Sequence, residues 1–190
     1  SINLSFAEVR MDLASGANAS GTMLSATMML SPDGVPTGFE LSAATIHFEV
    51  PGVVVADAED VVLSYDPNAG RTQTLLAIGT MDIEMPQLHL AGHVEPAPGS
   101  MDPGLVIRGD GFLFGSLTIT LNTGDFGGAD PEGFLSVASF LKVKNPSFNI
   151  TTFGMTFNAD GTLAGASVGS ISLAVEEFRV ELAGGTMGNG

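Results

Sequence analysis

The chain has no cysteine and no tryptophan among its 190 residues. Without cysteine there is no disulfide, no thiolate nucleophile and no Cys-ligated metal site. Basic residues are also scarce, since six Lys and Arg stand against 21 Asp and Glu and give a formal net charge of −15. Nucleic acid is therefore a poor partner, because binding its phosphates needs clustered Lys and Arg. No uninterrupted run of about 18 apolar residues occurs, so the sequence predicts no membrane span.

Apolar residues, in contrast, make up 44% of the chain, and the mean hydropathy is +0.33. This content excludes a disordered acidic tail, because such tails lack the apolar side chains that offset the entropy lost on ordering. A length of 190 residues fits one domain or an array of small repeats. The 25 Gly and ten Pro predict many chain reversals and argue against long helices.

Apolar and polar residues alternate with a period of two, most clearly at 46–50 and 117–121. This pattern is typical of strands that bury one face. Turn-forming clusters of Gly, Asn, Asp and Pro separate the alternating segments, as at 31–34, 66–70 and 158–161. The sequence therefore predicts many half-buried strands joined by tight turns.

The chain also resembles itself, which indicates a fold built from repeated units. Segments 41–55 and 76–90 align without a gap, and segment 166–180 is a third copy. Segment 135–150 aligns with one inserted residue, and segment 114–121 is a shorter copy. The spacing between copies is irregular, so we expect a set of similar strand units rather than a strict solenoid.

The apolar residues change parity at one point in each well-kept copy. In the first copy the apolar positions are even up to Val50 and odd from Val53 onward, and Pro51 and Pro86 stand at this point in the first two copies. A change of parity sends later side chains to the other face unless a bulge absorbs it. Proline within a sheet is itself typical of bulges and edges. We therefore predict a kinked or bulged long strand in each repeat.

Together these patterns predict an all-β fold with little or no helix. Antiparallel strands, long and bulged, would form either a repetitive elongated β-roll or a two-sheet sandwich, with one face wet and the other covered. Residues 1–183 are expected to form a single β-repeat domain, and residues 184–190 a flexible Gly-rich tail. The abrupt start and this tail are what we expect of a mature or excised piece of a longer array.

The best candidates for metal ligands are acidic residues in turn-rich segments: Asp102, Asp110, Asp125, Asp130 and Glu132. Calcium favours several carboxylate and carbonyl oxygens on a flexible turn, so the last four are candidate calcium ligands. Their spacing matches neither the EF-hand loop nor the calcium-binding nonapeptide roll. The alternative is that these Asp and Gly residues serve turn geometry.

Three histidines, His47, His89 and His93, are the other candidate ligands. In a strand, residues 89 and 93 would lie about 13 Å apart, which is too far for one zinc ion. The preferred interpretation is histidines on a polar strand face. No nucleophile elbow, phosphate-binding loop or cofactor motif occurs, so the sequence predicts neither an enzyme nor a bound cofactor, calcium excepted.

The recurring unit reads L-x-[AVI]-[GA]-[ST]-[IM]-x-[LIF]-x-[VM]-P followed by a second apolar pair. It resembles repeat stretches in very large acidic, Gly-rich secreted or surface proteins of bacteria. The resemblance implies a non-enzymatic structural or adhesive module, extracellular or on the cell surface, whose partners are neighbouring repeats, subunits or further copies. It carries over no binding residue.

Two functional alternatives follow. In the first, the terminal strands, with residues 4–6 and 178–182 as candidate edges, add to a neighbouring chain and build a filament. In the second, the chain is a binding module for calcium or for an apolar ligand, which would need an uncovered apolar concavity where a structural module needs a filled core.

Overall fold

The computed structural model describes residues 1–12, 16–126 and 128–180. In these ranges the chain forms thirteen β-strands, with two three-residue 3-10 turns at Pro86–Leu88 and Thr123–Asp125. The all-β prediction is therefore confirmed. The tail predicted at 184–190 lies outside the described residues.

The strands are numbered in the order in which they occur along the chain. They are β1 (Ile2–Asp12), β2 (Asn18–Leu30), β3 (Pro36–Val50), β4 (Val54–Tyr65), β5 (Thr74–Ile78), β6 (Thr80–Met85), β7 (Leu90–Glu95), β8 (Leu105–Arg108), β9 (Gly111–Leu121), β10 (Leu135–Ala138), β11 (Leu141–Phe157), β12 (Leu163–Ser167) and β13 (Ser170–Val180).

All thirteen strands belong to one antiparallel sheet. Short strands share rows end to end: β4 pairs with both β5 and β6, β9 with both β7 and β8, and β11 with both β12 and β13. The sheet is thus an up-and-down meander of nine rows, in the order β1, β2, β3, β4, β5 with β6, β7 with β8, β9 with β10, β11, and β12 with β13. In the described residues, β1 and the row of β12 and β13 each have one neighbouring row and form the two edges.

The described residues place no second sheet over this one, where the sequence allowed a roll or a two-sheet sandwich. Alternation marks which face of a strand is apolar, but it does not say what covers that face. The accessible surface is 11800 Å² for a mass of 19.4 kDa, against about 8,500 Å² for a compact monomer of this size. The part of the chain that the structure describes is therefore an open sheet.

Three ladders of cross-strand neighbours cross all nine rows on one side, which we call the apolar face. The first ladder contains Leu4, Ala26, Leu41, Leu63, Leu76, Ile107, Phe112, Met155 and Ala166. The second contains Val9, Gly21, Ile46, Ala58, Met81, Val94, Leu117, Ile150 and Ile171. The third contains Met11, Ala19, Phe48, Ala56, Ile83, Gly92, Ile119, Phe148 and Leu173. The opposite side is the polar face.

A line of backbone irregularities, which we call the crease, crosses the sheet between the first and second ladders. Met23, Asp60 and Thr152 have positive φ there, with values of 48°, 53° and 53°. Gly79 separates β5 from β6 at the same level, and a Cβ on it would lie 2.9 Å from the Cβ of Asp60. Each irregularity inserts one residue between successive apolar positions, which keeps both halves of the strand on the same face.

The parity changes at Pro51 and Pro86 are not bulges. Pro51 begins the turn between β3 and β4, and Pro86 begins the 3-10 turn between β6 and β7. Both repeats are therefore hairpins. Of the second apolar pair, Val53 and Leu88 lie in the turns, and Val55 and Leu90 lie on the returning strands. In the third copy, β13 runs straight through the predicted point, and the irregular residue is Asn145 (φ 42°) on the facing strand β11.

The small core lies along the crease. Val61, Ile78, Val94 and Leu105 form its buried cluster, and Val94 is only 1% exposed. The side chains packed against this cluster come from the same sheet, for example Phe114. We conclude that the sheet bends toward its apolar face at the crease, since its own side chains bury these residues.

Candidate functional site

The acidic segment after β9 is held in place by its own carboxylates. Asp130 accepts backbone N–H bonds from Glu132 (3.1 Å) and Phe134 (3.0 Å) through Oδ1, and its Oδ2 lies 3.2 Å from Lys142 Nζ. The N–H of Phe134, followed by Lys142, holds the pKa of the Asp130 carboxyl below its usual value. This geometry is that of an Asx turn closed by a lysine.

Glu132 forms an ion pair with Arg179 on β13. The guanidinium of Arg179 also lies 4.0 Å from the centroid of the Phe134 ring, which is 1% exposed. The carboxylates of Glu132 and Glu177 raise the pKa of Arg179, Glu132 contributing first. The segment is thus fastened to an edge strand by one charge pair and one buried aromatic ring.

A buried threonine fixes the start of the same segment. The Thr123 hydroxyl donates to the carbonyl of Gly133 (2.7 Å) and accepts from the backbone N–H of Asn145 (3.0 Å). The Asn145 amide in turn accepts from Thr123 N–H (3.0 Å) and donates to Glu176 (2.7 Å). Thr123 is completely buried, so this network ties the segment to β11 and β13.

The four candidate calcium ligands do not all lie together. Asp130 and Glu132 share one turn, whereas Asp110 sits in the turn between β8 and β9, about 35 Å away along β9. Asp125 ends a 3-10 turn, and its side chain lies outside the described part of the structure. Asp102 is bound to Ser100 in another turn.

The described ranges contain no group of three or more His, Asp or Glu placed to hold a metal ion. Calcium binding by the 122–132 segment stays a prediction.

Histidines and aspartates form a polar row across four neighbouring strands. His47 on β3 faces Asp57 on β4, Asp57 faces Asp82 on β6, and Asp82 faces His93 on β7. The Nδ1 atoms of His47 and His93 lie 2.7 and 2.6 Å from the carboxylate oxygens of Asp57 and Asp82. His89 is elsewhere, at the end of the 3-10 turn with its ring 4.7 Å from that of Phe126.

No strand among the described residues covers the apolar face. Ile119 and Phe148 are each 38% exposed in the interior of the sheet, and Leu173 is 75% exposed on the edge strand β13. No residue of the three ladders carries a charge. Contiguous apolar surfaces of this extent are typical of interaction sites, because monomers rarely leave one in water.

A cavity of about 500 Å³ lies on the apolar face at the hairpin of β8 and β9. Leu105, Ile107 and three phenylalanines line it, together with Arg108 and Asp110. Arg108 Nε and Asp110 Oδ1 are 3.6 Å apart, and both atoms are buried without a hydrogen-bond partner. The cavity is therefore an apolar space with an ion pair at one end.

Sequence reasoning identified the alternating residues but missed the surface that they build. The signal was present, since no charged residue interrupts the apolar positions of any predicted strand. What was missing is the pairing, which aligns these positions into ladders across nine rows and places His47 and Asp57 side by side.

None of the described helices is long and apolar enough to cross a membrane. Comparison with protein families, with curated proteins and with solved structures found no match to this chain.

Proposed function

We propose that this chain is a non-enzymatic structural module of an extracellular or cell-surface bacterial protein or fibre, and that it joins neighbouring chains by β-strand addition. The observation that supports the proposal is the sheet with two open edges, at which all three apolar ladders end.

The edge strands present both parts of a strand-addition site. Within residues 1–12, 16–126 and 128–180, backbone N–H and C=O groups on the outer side of β1 and β13 have no partner row, and such groups are templates for a further strand. The side chains that end the ladders are also exposed, at 54% for Leu4 and 61% for Ile171. A strand added at either edge would extend the ladders and cover these side chains.

The charge of the chain fits a controlled association of this kind. Glu8, Arg10 and Asp12 lie on β1, and Glu176 and Glu177 lie on β13. Charged side chains on edge strands disfavour indiscriminate pairing, and a net charge of −15 keeps unpaired chains apart. Addition would then be limited to strands of matching register and charge.

Single proline variants of β13 test this proposal. Successive N–H groups of an edge strand point alternately inward and outward, so one of L173P and A174P removes an outward N–H and leaves the pairing with β11 intact. In sedimentation velocity we expect the wild type to form large species whose amount rises with concentration, and we expect the proline variant that keeps the wild-type melting temperature to lose them. A wild type that forms no species beyond a dimer at any concentration would refute strand addition.

The cavity at Leu105, Phe112 and Phe114 favours a second candidate function, the binding of an apolar ligand such as a hydrocarbon chain. Its volume of about 500 Å³ is in the range of small-molecule sites. Extraction of the purified chain with organic solvent, followed by mass spectrometry, should then recover a stoichiometric lipid. If no lipid is recovered, and if F112E binds a fluorescent fatty acid as well as the wild type does, this candidate function is refuted.

A further inference from the structure

We infer that the apolar face is the interface for a second copy of this chain, which packs on it face to face and completes a two-sheet sandwich. The inference rests on the proposed function in taking the chain to work by self-association, but it concerns the face of the sheet and not its edges.

The face is large enough for a stable dimer. Nine rows spaced by ~4.8 Å, with about 11 residues per row rising ~3.3 Å each, give a footprint of ~1,500 Å² per copy. A standard interface between proteins buries about 800 Å² per partner. Contact over roughly half of the face is therefore sufficient.

The distribution of charge favours a like partner. The ladder residues are all uncharged, and by alternation the acidic side chains next to the second and third ladders on β3, β4 and β6 lie on the polar face: Glu49, Asp57, Glu59, Asp82 and Glu84. Two copies can therefore join their apolar faces while their acidic faces point away from each other. A membrane surface fits less well, because helices and sheets that lie on anionic lipid carry Lys and Arg around the apolar side.

The relief of the face suits packing against itself. In the third ladder, large and small side chains alternate along the first seven rows: Met11, Ala19, Phe48, Ala56, Ile83, Gly92 and Ile119. Strands β2 and β4 also contribute small residues to the second ladder, Gly21 and Ala58. These strands form grooves on either side of the ridge of β3.

A second sheet at ~10 Å can place its own ridge in such a groove, because alternating large and small residues allow facing layers to interdigitate. A two-fold axis would make the contact self-complementary, so that each copy supplies both a ridge and a groove.

A charge placed on each face in turn tests the inference. I119E introduces a carboxylate on the apolar face at a side chain that is 38% exposed, so the single copy should still fold. T120E, one residue along β9, places the same charge on the polar face and is the matched control. Both are made in the β13 proline variant that keeps its fold, which blocks strand addition at the β13 edge. Addition at β1 is open to I119E and T120E alike, so it cannot account for a difference between them.

We expect the parent and T120E to sediment as dimers at micromolar concentration. We expect I119E to raise the dissociation constant by more than about 100-fold, since the buried charge enters a two-fold interface twice. A monomeric parent, or an I119E variant that dimerises as the parent does, would overturn the inference. Neither result would bear on strand addition at the edges, which is tested separately by whether the wild type forms large species in sedimentation velocity.

The absence of native cysteine provides a second measurement that does not depend on tolerating a charge. I119C should react with a maleimide at least about tenfold more slowly above the dimer dissociation constant than below it, whereas T120C should react equally at both concentrations. Equal reactivity of I119C at both concentrations would show that no second copy covers the face. Protection only after lipid vesicles are added would assign the face to lipid and would also refute the dimer.

Discussion

Replacing Thr123 with valine should destabilise the chain by removing one hydroxyl from the network that fastens the 122–134 segment to β11. Valine has nearly the shape of threonine, so packing changes little. The loss is that of two hydrogen bonds, because the hydroxyl donates to the Gly133 carbonyl and accepts from the Asn145 N–H. Thr123 is fully buried, so water cannot replace the hydroxyl without opening the segment.

Each buried polar group left without a partner costs about 1–3 kcal/mol. With the Gly133 carbonyl and the Asn145 N–H both affected, T123V should lower the free energy of unfolding by about 2–4 kcal/mol. T123S keeps the hydroxyl and loses only one methyl group, which should cost about 1 kcal/mol.

Urea denaturation of the three proteins at pH 7 measures both values. If the free energy of unfolding falls less in T123V than in T123S, the hydroxyl network does not hold the segment, and the reasoning is refuted.

Three further predictions concern the core, the carboxylates and calcium. Val94, at the crease, is 1% exposed, and V94A removes two carbon atoms of its side chain. V94A should therefore lower the free energy of unfolding, measured by urea denaturation, by about 2 kcal/mol. An unchanged free energy of unfolding would contradict the placement of the core. The pKa of Asp130 is below its usual 3.8 in the folded chain, so its contribution to stability is present above that value and is lost as the pH falls through the folded pKa. Between pH 5 and pH 2, the melting temperature of D130N should therefore fall less steeply with decreasing pH than that of the wild type. An equally steep fall would show that Asp130 does not contribute to the acid dependence of stability. If the 122–132 segment binds calcium, millimolar calcium should raise the melting temperature above its value in EDTA, and D130N should abolish the rise. Calcium would have to compete with Lys142 and Arg179 for Asp130 and Glu132, and an unchanged melting temperature would refute the calcium prediction.

The alternation of apolar residues was enough to predict the strands, because it is a property of each strand alone and does not depend on which strands pair. It was not enough to place the turns. A parity change at Pro51 is equally consistent with a bulge within one strand and with a turn between two, and the choice depends on whether residues 54–65 pair back onto β3. The dipeptide Pro51-Gly52 was the overlooked signal, since Gly52 has φ 72° and Pro-Gly is a turn former.

The polar pairs required knowledge of register. His47 and Asp57 are ten residues apart on one hairpin, and the equivalent hairpin has the order reversed, with Asp82 before His93. Aligning the two repeats places His47 against Asp82, which hides the pairing instead of showing it. The uncovered face was beyond sequence reasoning for a different reason, since a residue at an apolar position looks the same whether a partner or its own chain covers it.

The polar row also favours one register in the two hairpins whose strands it joins, β3–β4 and β6–β7. Asp57 and Asp82 face each other and repel, but each is bonded on its other side to a histidine. A slip of one residue between β3 and β4 would bring His47 opposite Ala56 or Ala58 and would leave the Asp57 carboxylate without its partner. The two pairs thus contribute to the register of the β3–β4 and β6–β7 hairpins from the polar face, where they need no covering layer.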